Sequence, residues 1–150
     1  MEISKTPIMM GNDHAAQALK LILKDYLTKN FDMPVEDAGA YSEESVDYPD
    51  YGQKVALAVS KGTYERGILL CGTGLGMSMV ANKYPHVRAA LCNDLFSAIM
   101  SRQHNNANIL VLGARVIGDE LAKAIVKAWL ETPFEGGRHQ KRLDKFDTIS

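Results

Sequence analysis

Apolar positions along the chain follow two alternating rhythms. Short runs at residues 8–10, 67–70, 88–91 and 108–112, with a briefer one at 34–37, read as strands. Between them Ala, Leu, Ile and Val recur at helical spacing over residues 15–28, 51–60, 75–83, 94–103 and 118–130. The run GILL at 67–70 has no polar break, as expected of a strand covered on both faces. Five strand–helix units in alternation predict an α/β sandwich with a parallel sheet, because right-handed crossovers place helices on both faces.

In such sheets ligands sit outside the carboxyl ends of the strands. The chemically unusual residues follow strands here: Asp13 and His14 after the first, Cys71-Gly-Thr-Gly74 after the third, and Gly113-Ala-Arg115 after the fifth. They are expected to converge at one edge. Residues 39–50 (GAYSEESVDYPD) form a polar, turn-rich surface loop long enough to be functional. A double glycine, Gly136-Gly137, reads as a hinge before a last helix.

Composition narrows the picture. At 150 residues, 46% of them apolar, the chain can bury a sizeable core and is expected to form one domain over 1–150. A formal charge of -1 supplies no global field toward nucleic acid or an anionic membrane. The two cysteines, Cys71 and Cys92, stand in no CxxC pair, which argues against a disulfide framework or zinc site. No basic leader with an apolar core opens the sequence, and no run approaches a bilayer-spanning length. A reducing, cytoplasmic setting is the expectation.

The segment ILLCGTGLGM at 68–77 carries the strongest local signal. A dinucleotide fingerprint requires G-x-G-x-x-G; Gly72, Gly74 and Gly76 form G-x-G-x-G, with Met77 where the last glycine belongs. No P-loop can be read in the segment. Its backbone N–H groups, at a helix start, instead suit an anion. Cys71 is open to two readings: a small buried hydrophobe, or a reactive thiol whose thiolate the helix start favours.

The other polar positions also have plain explanations. Asp13 suits a helix N-cap, and His104 near a helix end can offset the helix dipole. Taken together, Asp13, His14, Cys71 and His104 form a candidate set for proton transfer. Arg138 and Arg142, four residues apart, share a helix face and could clamp a phosphate, with Arg115 as a third guanidinium; a solvated basic tail is the alternative. No His and carboxylate stand at a spacing such as H-x-x-x-H, so no metal site is expected.

The motifs GNDH at 11–14, DYP at 47–49, CGTGLG at 71–76, ANK at 81–83, SRQHN at 101–105, GAR at 113–115 and EGGRHQKR at 135–142 occur together and in order. In this combination the chain resembles the type B ribose-5-phosphate isomerases, whose wider family includes galactose-6-phosphate isomerase subunits. The likeness runs from Ile8 to about Leu143. It implies a Rossmann-like three-layer α/β/α sandwich with a five-stranded parallel sheet. It further implies a homodimer or homotetramer in which the C-terminal helix reaches toward a partner subunit and the site is shared.

The resemblance assigns Cys71 as the base moving a proton between C1 and C2 of an open-chain sugar phosphate. His104 matches the residue that opens the furanose ring, with Asp13 nearby and Thr73 in the catalytic loop. His14, Arg115, Arg138 and Arg142 correspond to phosphate ligands. Tyr48 and Asn105 correspond to contacts with sugar oxygens, and Gly72, Gly74 and Gly76 to backbone donors for an enediolate. In a second family pattern a glutamate in the same loop replaces the cysteine; residues 71–80 hold no carboxylate, leaving Cys71 as that loop's one candidate base. Asn12 is read as a variable position.

The implied activity is interconversion of ribose 5-phosphate and ribulose 5-phosphate without cofactor. The alternatives are a six-carbon sugar phosphate such as allose 6-phosphate or galactose 6-phosphate, or a non-catalytic sugar-phosphate sensor. Neither nucleic acid nor membrane is an expected partner.

Overall fold

The structure, a computed structural model, describes residues 3–149. Among them five strands, β1 (Ile8–Asn12), β2 (Val35–Asp37), β3 (Arg66–Cys71), β4 (Ala89–Leu91) and β5 (Ile109–Gly113), alternate with helices. The helices are α1 (Gln17–Phe31), α2 (Tyr48–Ser60), α3 (Leu75–Ala81), α4 (Leu95–Gln103) and α5 (Asp119–Glu131), followed by a short α6 (Arg138–Asp144). Parallel neighbours need a crossover, and α1 to α4 supply the four that join the strands, giving a parallel sheet in the order β2-β1-β3-β5-β4.

Strand periodicity divides the core in two. In β3, Ile68 and Leu70 join Met10, Leu110 and Leu112 under α1, α4 and α5, where Leu23, Ile125 and Trp129 are fully buried. Leu69 and Cys71 face the other way, against Val55, Ala56 and Met77 of α2 and α3. Every residue of β3 and of β5 is buried, so their unbroken apolar runs follow from cover on both faces. No helix among the described residues is long and apolar enough to cross a membrane.

Three boundaries depart from expectation for physical reasons. β1 extends to Asn12 because that residue's N–H donates to the Gly39 carbonyl (2.7 Å) and its carbonyl accepts from Ala40 N–H (2.8 Å). α2 begins at Tyr48 instead of residue 51; Pro49, with no N–H to satisfy, suits the first turn. α1 is preceded by a 3-10 turn, His14–Ala16, capped by Asp13, and ends at Asp32 in the left-handed region.

The chain order reverses between β1, whose next strand lies to one side, and β3, which opens the other side. That switch point is where a ligand crevice forms beyond the strand ends.

Candidate active site

Asp13 leaves β1 beside the end of β3, its N–H donating to the Leu70 carbonyl at 3.2 Å. Its carboxylate, 8% exposed, accepts from Ala15 N–H at 3.0 Å, so the cap anticipated from sequence is formed. His14 Nδ1 accepts from Val46 N–H at 3.1 Å, which ties the polar loop over the strand end and leaves Nε2 as the other ring nitrogen. Asn12 is no idle position: fully buried, its Nδ2 donates to the Asp13 carbonyl (2.9 Å) and to Gln17 Oε1 (3.0 Å), holding the turn that presents Asp13 and His14.

The loop is anchored from below as well. Lys20, 1% exposed, donates to Asp37 Oδ1 at 3.0 Å and to the Ala40 carbonyl at 2.6 Å, while Asp37 accepts from Gly39 N–H at 2.9 Å.

Cys71 ends β3 only 4% exposed, with Sγ accepting the Gly74 N–H at 3.2 Å. Thr73 Oγ1 accepts from Leu75 N–H at 3.2 Å. Two N–H groups of the loop are therefore turned inward on Cys71 and Thr73, and Gly74's is not a separate donor for a bound anion. Gly74, at φ +84, makes the turn into α3 that a side chain would oppose.

Neighbouring strands and helices close on this loop. Ala114 N–H donates to the Cys71 carbonyl and Arg115 N–H to the Gly72 carbonyl, both at 2.9 Å. The Arg115 side chain lies along Gly72; a methyl group on Gly72 would meet its Nη1 at 3.4 Å. The Tyr48 ring covers Gly76 so closely that a Cβ there would lie 2.7 Å from the phenol oxygen. Asp13, His14, Tyr48, Cys71, Gly72, Thr73, Gly74, Gly76 and Arg115 thus form one constellation at the carboxyl edge, as the strand-end rule predicts.

His104, Asn105, Arg138 and Arg142 do not join it within one chain, so the candidate set of Asp13, His14, Cys71 and His104 is not assembled by a single copy, in line with the shared site that the family resemblance implies. α4 starts after β4 at the carboxyl edge and runs back, so its end lies at the amino edge. There Asn108 N–H donates to the Arg88 carbonyl just before β4, and Gly67 N–H, near the start of β3, donates to the Asn108 carbonyl. From Gly67 to Cys71 the sheet alone spans roughly 13 Å at 3.3 Å per residue.

This second constellation has its own order. Arg102 donates to the Asn106 Oδ1 (3.1 Å), the Ala107 carbonyl and, from Nε, the Thr132 carbonyl (3.4 Å), so one half-buried guanidinium fixes the turn bearing His104 and Asn105. Glu135 N–H donates to the Gln103 carbonyl at 3.1 Å, bringing the segment before α6 under that turn. The His104 ring stacks on His139, centroids 4.2 Å apart and planes 13° from parallel. Glu135 stands between them, 4.0 Å from His104 Nε2 and 3.8 Å from His139 Nε2.

Burial lowers the His139 pKa, with the nearby His104, Arg138 and Arg142 charges acting in the same direction and Glu135 opposing. Arg138 and Arg142 are exposed on α6. Glu135 and His139 stand in the EGGRHQKR motif, but their meeting with His104 is a tertiary contact that the motif does not announce. Their own spacing, carboxylate to imidazole four residues on, was the available signal, and it corrects the statement that no such pair exists. Cys92 is buried against the opposite core, and burial pushes its thiol up to about 11.

Comparison with known proteins places these residues in context. The family model described as Ribose/Galactose Isomerase matches residues 8–146. Ribose-5-phosphate isomerase B of Escherichia coli (strain K12) is 47% identical over 142 residues, 95% of each chain. D-erythrulose-4-phosphate isomerase of Pectobacterium atrosepticum is 46% identical over 138 residues, 92% of this chain and 91% of that one. The solved structure of a ribose 5-phosphate isomerase from Thermotoga maritima, 53% identical, superposes with a TM-score of 0.93 over 97% of this chain and 100% of that one.

Proposed function

The chain belongs to the ribose/galactose isomerase family, and from that premise we propose that it interconverts ribose 5-phosphate and ribulose 5-phosphate through an enediolate, with Cys71 as the base. The carrying observation is the position of Cys71: it ends the central strand at the switch point, and residues 71–80, which turn into α3, hold no carboxylate to take its place. Isomerisation removes a proton from the carbon beside a carbonyl and returns it to the neighbouring carbon. Electrons and protons balance without an external reductant.

The two constellations act together when a second copy supplies one of them. His104 and Asn105 of one copy, with Arg138 and Arg142, face Asp13, His14, Tyr48, Cys71, Thr73 and Arg115 of the other. The separation of the two sets within one chain supports this division. His104 opens the furanose, Tyr48 and Asn105 hold sugar oxygens, and His14 and the three arginines grip the phosphate. That remote grip holds the reacting carbons against Cys71. Gly72 and Gly76, whose Cα atoms lie under Arg115 and Tyr48, are the remaining glycine donors toward the developing oxyanion.

A shorter or longer sugar is the second reading, and the relative that acts on D-erythrulose 4-phosphate is the observation behind it. The loop that His14 and Lys20 tie down is where chain length would be measured. The test is direct: metal-stripped protein is incubated with ribose 5-phosphate, erythrulose 4-phosphate, allose 6-phosphate and galactose 6-phosphate, and each product is followed in D2O. Ribulose 5-phosphate with deuterium at the exchanged carbon, lost in Cys71→Ala, is the expected result. Isomerisation surviving in Cys71→Ala removes Cys71 as base; binding without turnover makes the protein a sensor.

A further inference from the structure

We propose that His104, Glu135 and His139 form a binding site for a borderline divalent transition-metal ion such as Zn2+, through which the metal inhibits the enzyme. One ligand atom from each of the three residues lies within 4.8 Å of the other two. The carboxylate oxygens stand 4.0 and 3.8 Å from the two imidazole nitrogens. Those gaps are too long for direct hydrogen bonds and short enough for one ion to bridge.

Zinc holds nitrogen and carboxylate ligands at about 2.0–2.2 Å, which sets donors on a tetrahedral ion roughly 3.3 Å apart. Each donor pair must therefore close by about 0.5–1.5 Å. The side chains that can supply the movement are Glu135, 49% exposed, and His104, 40% exposed; turning them also fans the stacked rings apart. His139, 7% exposed, is the fixed member, on the first turn of α6 with its N–H bonded to the Gly136 carbonyl.

Two imidazoles and one carboxylate suit zinc, cobalt or nickel and not magnesium or calcium, which take oxygen ligands. The exposed side leaves a fourth position for water or a sugar oxygen. Arg138 and Arg142 nearby oppose any cation and weaken its binding. An ion on His104 Nε2 occupies the lone pair that ring opening uses. The inhibition thus rests on the role of His104 proposed above, whereas the binding does not.

Metal-stripped wild-type protein is titrated with Zn2+ by calorimetry and with Co2+ by visible absorption, and turnover of ribose 5-phosphate is measured over the same Zn2+ range. One ion per chain is expected, with Mg2+ giving no signal. Glu135→Gln and His139→Asn weaken binding about tenfold or more and raise the inhibitory Zn2+ concentration in parallel. Cys71→Ala leaves binding unchanged. Glu135 is exposed, so Glu135→Gln keeps the test valid if His139→Asn melts early. Zinc affinity unmoved in Glu135→Gln, or lost in Cys71→Ala, overturns the site. A bound ion with no isomerase turnover to inhibit sinks the functional reading and leaves the metal site standing.

Discussion

Gly113 is the position where one methyl group should disable the catalytic loop without touching substrate. β5 ends there against Thr73, and a Cβ on Gly113 would lie 2.7 Å from the Thr73 carbonyl carbon and 3.1 Å from its Cα. Both are backbone atoms, so no rotamer change relieves the contact. Gly113 is not in the left-handed region, so Gly113→Ala isolates the steric effect. To regain an ordinary contact the Thr73 backbone must withdraw by roughly 1 Å, against the hydrogen bonds at 2.9 Å that join Ala114 and Arg115 to Cys71 and Gly72. A misplacement of that size costs about 100-fold in kcat/KM, or about 2.7 kcal/mol. The overpacking itself should cost about 1–3 kcal/mol of stability, a melting shift of roughly 3–10 °C. Steady-state isomerisation and thermal unfolding measure the two effects. Gly118→Ala is the control, since a Cβ there meets nothing within 4 Å. Wild-type kcat/KM and melting temperature in Gly113→Ala would refute the reasoning.

Other expectations follow from buried charges and thiols. Asp37→Ala strands the buried Lys20 ammonium and should cost about 3–5 kcal/mol in denaturant unfolding, whereas Lys20→Met leaves Asp37 its bonds to Gly39 N–H and to Lys24 and should cost clearly less. Equal losses would contradict this. Cys92, with its thiol held at about 11, should stay unmodified by iodoacetamide in folded protein at neutral pH, as peptide mapping can check. His139 has a lowered folded pKa, so the unfolded chain takes up its proton first. Its contribution to stability is therefore complete above about 6.5 and is lost as pH falls below that value, an effect that His139→Asn should flatten in chelated buffer.

How far the sequence could be read varied with the range of the forces involved. β3 and β5 are legible because cover on both faces favours apolar residues, so burial writes itself as an unbroken run at residues 67–70 and 109–112. The convergence of Asp13, Cys71 and Arg115 followed from topology alone. The part Asn12 plays is not legible because its Nδ2 bonds to Asp13 and Gln17 are a local network that hydrophobic pattern does not register. The start of α2 is not legible because Val55 and Val59 carry the apolar stripe, while Tyr48 is held by its packing on Gly76. The distance between His104 and Cys71 accords with the shared site implied by the family resemblance and follows from topology, since a crossover helix must return to the amino edge. The meeting of Glu135 with His104 depends on the Glu135–Gln103 backbone bond, a contact no local pattern announces.

The measurement that tests the account most directly is subunit complementation between Cys71→Ala and His104→Ala. Each variant alone should be inactive toward ribose 5-phosphate. Co-assembled at random in equal amounts, half the dimers are mixed and each mixed dimer keeps one intact site of two, so activity should return to about a quarter of wild type. A mixture as inactive as its parents, with mixed dimers confirmed by mass spectrometry, would contradict a site built from the two edges of different copies.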